Sequence, residues 1–178
     1  FTIGVNGAFY KIYPTILPWP HPELWYTEKH KIPRLKAIKY CRDNADAQGR
    51  FYHFKLKGNY YELPEGAQTL YGRGSSGPLA FQLAYILGCD PIILLGMDCK
   101  YRDGQTDFYG KNPCHRPHTL KNCRSGLIWI KKGNHDLRVI NCSDNKVFDE
   151  RCTLEEAIDM LPEQKPQNRE SLTRRILE

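Results

Sequence analysis

The stretch GRGSSGPLAFQLAYILGCDPIILLGMD, Gly72 to Asp98, sets the fold class through its punctuation. Glycines at 72, 74 and 77 make a flexible loop whose backbone can approach a phosphate closely. Pro78 suits the first turn of a helix, where its missing N–H would be unpaired anyway. Leu79, Leu83, Ile86 and Leu87 follow at helical spacing, and Gly88 supplies a C-terminal stop. Cys89-Asp90-Pro91 turns the chain. Ile92 to Leu95 is a short continuous apolar run, the pattern of a strand buried on both faces. Gly96-Met97-Asp98 ends it. Loop, helix, turn, buried strand and loop together make a layer unit of an α/β protein.

Outward from this centre the signals are weaker. Phe1 to Val5 reads as a buried strand closing in Asn6-Gly7, a turn pair. Prolines at 14, 18, 20 and 22 are expected to keep the next stretch irregular. Ala37 to Cys41 reads as a short strand, 43–50 as a polar loop, and Phe51 to Tyr61 as one or two strands. Tyr101 to Lys121 is a long polar loop, a kind that in compact domains usually serves function. A helix is expected over Ser125 to Lys132 and a strand over Leu137 to Asn141. Thr153-Leu-Glu-Glu156 is a capping box opening a helix that stops before Pro162. The division expected is one α/β domain over 1–162, then a charged tail, 163–178, with a helix at Ser171 to Leu177. There are no internal repeats.

A length of 178 residues suits one domain with a real core. Hydrophobic residues at 40% and charged residues at 26% place the chain among soluble globular proteins. The longest apolar run, Pro91 to Met97, falls far short of the ~20 residues of a membrane helix. The net charge of +6 serves solubility or an anionic partner. No nucleic-acid-binding signature accompanies it, so a small phosphorylated ligand is expected rather than DNA or RNA. Seven cysteines, at 41, 89, 99, 114, 123, 142 and 152, show no repeating spacing. Reduced thiols in the cytoplasm are the expectation, several of them acting as small core hydrophobes.

Three motifs bear on chemistry. The Gly72 to Gly77 loop lacks a Gly-Lys-Ser/Thr ending and is not a P-loop. No strand is evident directly before it, so a dinucleotide fingerprint is not read there, and a plain loop-to-helix turn is the simpler account. Asp98 stands where a parallel strand would end, the edge at which open α/β sheets bind ligands. It would hold a ribose hydroxyl, an acceptor or a metal, or merely cap a turn. The stretch CHRPHTLKNC, Cys114 to Cys123, offers Cys114, His115, His118 and Cys123 as zinc-type ligands, but at no standard finger spacing. The other readings are a decorated surface loop, or an active-site loop carrying a histidine acid or base.

The run from Ser75 to Gly110 resembles a domain shared by 6-hydroxymethylpterin diphosphokinase-like proteins and motility accessory factor glycosyltransferases. More distantly it is similar to bacterial lipooligosaccharide sialyltransferases that use a CMP-sugar. The matching pieces are Ser76-Gly77, Leu87-Gly88-Cys89, Ile92 to Leu95 and Gly96-Met97-Asp98, with weaker support from Gly4-Val5-Asn6 and Val139 to Ser143. The resemblance implies that Asn6, Ser75, Ser76 and Gly77 contact a nucleotide donor. It implies that Tyr101 and Tyr109 bind the donor phosphate, and that Cys142 and Ser143 lie near the base. It makes His118 the general base on an acceptor hydroxyl, while Asp98, of the Gly-x-Asp match, would hold magnesium with neighbouring carboxylates if the chemistry is diphosphoryl transfer. One piece departs: the family's opening strand and Gly-x-Gly-Pro-Ser loop are not in this sequence, which starts on what resembles the second strand. That loop is expected upstream.

The fold expected is therefore a three-layer, Rossmann-like α/β domain with a mainly parallel sheet. The function expected is transfer from a nucleotide-activated donor, a CMP-sugar or another nucleotide sugar, to a hydroxyl acceptor. ATP with magnesium in a hydroxymethylpterin-type diphosphokinase is the alternative. A non-catalytic, phage-encoded nucleotide- or sugar-binding relative is the rival from another class. Oligomeric state is left open.

Overall fold

A computed structural model describes residues 1–43, 51–58, 63–101, 103–105, 118–133, 136–161 and 169–177. Four strands form one parallel sheet in chain order: β1 (Ile16–Trp19), β2 (Ile38–Arg42), β3 (Tyr52–Lys57) and β4 (Thr69–Tyr71). A short helix, α1 (Pro22–Glu28), lies in the crossover from β1 to β2. The pleat sends alternate residues to opposite faces. Ile16, Ile38, Tyr40 and Phe54 meet one apolar cluster, while Leu17, Trp19 and Cys41 meet another, packed with Phe9, Leu24 and Ile32. Both faces of this sheet are thus covered, the arrangement parallel sheets require.

Prolines 14 to 22 were expected to break regular structure, and they do not. Ile38 N–H donates to the Thr15 carbonyl, and Gly4 N–H donates to the Ile16 carbonyl. Odd-numbered residues of β1 therefore turn their backbone to β2, and even-numbered ones turn away from it. Pro18 is in step with Ile16, so its missing N–H falls on the side where no ladder bond to β2 is lost. Pro22 opens α1, the helical position a proline tolerates. The expected first strand shrinks to a parallel bridge, Ile3 to Ile16, and Asn6–Tyr10 is a 3-10 turn.

The second sheet pairs β5 (Ile92–Leu95) with β6 (Val139–Cys142), also in parallel, through the crossover helix α3 (Thr119–Gly133). The mainly parallel sheet of the expectation is thus two parallel sheets. Helix α2 (Ser76–Ile86) joins them. Leu79 and Leu83 belong to the first sheet's core, whereas Phe81 and Ala84 belong to the second's, with Leu127, Ile130 and Ile140's neighbour Val139. The sequence showed only the first of these faces; burial from Ser76 through Ala84 makes α2 a central helix. Its end is a Schellman turn: Gly88, at φ 67°, donates to the Tyr85 carbonyl and Cys89 to the Ala84 carbonyl.

Helix α4 (Leu154–Asp159) opens with the expected capping box, Thr153 and Glu156 bonding reciprocally. The last helix, α5 (Arg169–Leu177), is longer than read and is no appendage. Leu172 and Ile176 are almost fully buried in the core of the first sheet, beside Ile16 and Phe54. The division placed at 162 therefore does not separate two packing units.

Candidate functional site

The run Gly72-Arg-Gly-Ser-Ser-Gly77 leaves β4, the strand that sequence reading did not find. Three residues are too few to show a period. Gln82 holds β4 from α2, its amide donating to the Tyr71 carbonyl and accepting from the Tyr71 N–H, both at 2.8 Å. The unit is therefore strand, Gly-x-Gly-x-x-Gly, helix. Gly72 and Gly74 have φ of 127° and 78°, conformations that a side chain would strain. A Cβ on Gly77 would lie 3.3 Å from Cys123 Sγ and 3.4 Å from Met97 Sδ, so glycine there lets α2, α3 and the loop after β5 meet.

Around this helix start the ends of the other strands gather. Asn6 follows the segment bridged to β1 and takes a left-handed backbone, φ 49°, which asparagine tolerates. The Ser76 hydroxyl donates to Asn6 Oδ1 at 2.7 Å. Met97 N–H donates to Ser143 Oγ at 2.9 Å, and the Ser143 hydroxyl donates to the Leu94 carbonyl at 3.2 Å. Asp98 Oδ1 accepts from Asp144 N–H at 2.8 Å, and Lys100 pairs with the Asp144 carboxylate at 3.1 Å. Thus Asn6, Ser75, Ser76, Gly77, Asp98 and Ser143 form one chain of neighbours where β5, β6 and the glycine loop end.

Sequence reading missed the clamp beneath them. Asn141 and Asn145 are buried and bond each other, and Asn145 Nδ2 donates to the Met97 carbonyl at 3.0 Å. Its signal was the run Asn141-Cys-Ser-Asp-Asn145, a cluster of turn-forming side chains directly after a strand. His21, which follows β1, was also overlooked. Its Cε1 stands 3.5 Å from where a Cβ on Gly74 would be, against the glycine loop.

Other expected residues stand differently. The Cys142 thiol is engaged with the Thr153 carbonyl and with Cys152, on the flank of β6. Burial is the first cause that pushes it up to about 11. Tyr101 is exposed, at 55%. His118 is exposed and stands directly before α3, its carbonyl accepting from Asn122 N–H. It lies five residues before Cys123, roughly 7 Å along a helical axis. Tyr109, Cys114 and His115 lie outside the described residues. Of the four zinc-type ligands, Cys123 faces Cys99, and among the described residues no group of three or more metal-capable side chains forms.

A second surface borders the site. A groove of about 350 Å³ runs along α3, lined by Arg124, Ile128, Lys131, Lys132, Lys146 and Val147. Arg124 acts electrostatically on the Cys99 thiol, so cationic surface comes near the loop after β5. Among the described residues no helix is long and apolar enough to cross a membrane.

The fold and this cluster define an α/β protein with parallel strands and a glycine-rich strand-to-helix turn. In comparisons with known proteins, no family model, curated protein or solved structure matches the chain.

Proposed function

We propose that the chain belongs to a transferase acting on a nucleotide-activated donor, and that the reaction is sialyltransferase-like glycosyl transfer. One observation carries the reading: the start of α2, after the glycine loop, is packed between Asn6 and the Gly96-Met97-Asp98 loop at the ends of parallel strands. Backbone N–H groups at a helix start attract a phosphate. The likeness of Ser75 to Gly110 to nucleotide-dependent transferases agrees with it.

In this reading the acceptor oxygen attacks the anomeric carbon of the donor while His118 takes the hydroxyl proton. The bond from that carbon to the phosphate oxygen breaks, and the nucleotide leaves with the electron pair. Its charge is met by the first N–H groups of α2 and by the phenols of Tyr101 and Tyr109. Asp98 and Ser143 hold the loop that orients the sugar. The groove beside Arg124 and Lys132 offers further cations to the anionic donor.

Diphosphoryl transfer from ATP is the second reading, favoured by the adjacency of Asp98 and Asp144. Magnesium bound there would screen the phosphates. The donor set fits it less well, since Asp98 anchors the Asp144 backbone and Lys100 already neutralises Asp144. A non-catalytic binder of nucleotides or sugars is the outcome if no turnover exists.

Thermal shift with CMP, UDP, GDP and ATP, with and without magnesium, separates these. A ligand at a hundredfold excess over its Kd adds about 2.7 kcal/mol of stability. A metal-independent shift with CMP is expected; a shift with ATP only when magnesium is present would move the assignment to diphosphoryl transfer. His118→Ala is expected to keep the donor shift and lose about 10²–10⁴-fold in transfer. Unchanged transfer in that variant would remove His118 from the mechanism.

A further inference from the structure

The loop after β5 and the first turns of α3 bring two thiols together that the transferase reading does not use. Cys99 Sγ lies 3.1 Å from Cys123 Sγ. Both side chains are partly buried, and both belong to the described residues. Cys99 holds a left-handed backbone, φ 54°, unusual for a residue with a Cβ. Its sulfur also lies 3.4 Å from the Met97 carbonyl, which fixes the direction of the side chain. Strain of this kind persists only where surrounding structure imposes it, and it gathers at functional positions.

We propose that Cys99 and Cys123 form a reversible redox site, a dithiol that a hydroperoxide converts to a disulfide. A disulfide has its sulfurs ~2.05 Å apart, so closure asks for about 1 Å of approach. The Cys99 S–H faces the Cys123 sulfur, which raises Cys99 and lowers Cys123; burial of Cys123 works against the lowering, and the Ser75 hydroxyl adds to it. Cys123 is thus the nucleophile, because thiolate rather than thiol attacks.

The steps balance. The Cys123 thiolate attacks one peroxide oxygen, the O–O bond breaks, and hydroxide leaves and takes up the proton that Cys123 lost. Cys123 is then a sulfenic acid. The Cys99 sulfur attacks the Cys123 sulfur, the S–O bond breaks, and water leaves with the Cys99 proton. Two thiols and one hydroperoxide become one disulfide and two waters when the oxidant is hydrogen peroxide. The bridge ties the Gly96-Met97-Asp98 loop to α3 directly beside Gly77. It also replaces the thiolate that accepts from Ser75. The inference stands on the thiol geometry and does not depend on which ligand, if any, the strand ends bind.

The test treats the full chain with hydrogen peroxide, blocks remaining thiols by alkylation, and digests with trypsin without reductant. Expected is a peptide pair joining Asn122–Arg124 to Gly74–Lys100, lighter than the two reduced peptides by two hydrogens and released by dithiothreitol. The same treatment of Cys99→Ser is expected to leave no such pair and to leave Cys123 as a sulfenic or further oxidised acid. Since Gly74–Lys100 also contains Cys89, survival of the pair in that variant would assign the bridge elsewhere and overturn the proposal. Recovery of Asn122–Arg124 wholly alkylated or wholly as its sulfonic acid from the wild-type chain would overturn it too. Circular dichroism before and after oxidation verifies that the folded chain was the reactant.

Discussion

At Asn6 one side chain does two jobs. Its left-handed backbone turns the chain out of the first segment, and its Oδ1 accepts from the buried Ser76 hydroxyl at the start of α2. Asn6→Ala removes the acceptor and leaves that hydroxyl unpaired, a loss of about 1–3 kcal/mol. Asn6→Asp keeps an acceptor, and negative charge near a helix start is favourable. Its unfolding midpoint is therefore expected close to wild type. An anionic donor would meet a like charge, so the same variant is expected to weaken any nucleotide-induced thermal shift. Equal shifts in Asn6→Asp and wild type would place the nucleotide away from Asn6. Asn6 was picked out from the sequence by resemblance alone. The Ser76 bond spans seventy residues of chain, and no local pattern foretells it.

Helix ends were the most legible elements, because capping is local chemistry. Gly88 was read as the stop of α2, and its positive φ and Schellman bonds agree. Gly88→Ala is expected to cost about 1–2 kcal/mol from the backbone alone. A Cβ there would also lie 2.8 Å from an Arg175 guanidinium nitrogen, the far end of an exposed, flexible side chain that can swing aside, so urea denaturation should register mainly the backbone cost. The Thr153 capping box was read from four residues and stands as expected. Bonding from the Thr153 N–H, then from its hydroxyl, lowers the Glu156 carboxyl below its ordinary value. A lowered folded-state value means that the stabilisation is present above the ordinary glutamate value, ~4.3, and is lost as pH falls through the folded value. Glu156→Gln can close the box without titrating. The melting temperature of wild type relative to this variant is expected to be flat near neutrality and to fall below about pH 4. A difference independent of pH would show that the carboxylate makes no such bond in solution. Less legible were β4 and the first turns of α3. The former is three residues long, and the latter begin polar and half-exposed, with no apolar stripe until Leu127.

Across the whole molecule, α2 and α5 do what no single element announces. The first helix serves two cores at once, and the second closes one of them with Leu172 and Ile176. Leu172→Ala is expected to lower stability by about 2–5 kcal/mol, the cost of a cavity in a packed core. A change within measurement error would mean that α5 rests on the surface in solution. A charged sequence hid this role: four of the nine residues of α5 are charged, and the two-residue stripe of Leu172 and Ile176 looks like any solvated helix.

From the sequence alone came the α/β class, the turn-helix-strand unit from Gly72 to Asp98, and the helix stops and caps. Those features are local, set by glycine and proline backbone limits, capping bonds and the length of apolar runs. Tertiary packing settled the rest. It split the parallel strands between two sheets, set Gln82 against β4, clamped Met97 with Asn145 and brought two thiols together, Cys99 and Cys123. Each of these joins residues distant in sequence, and their energy comes from burial and from pairing buried polar groups, which only the folded chain supplies.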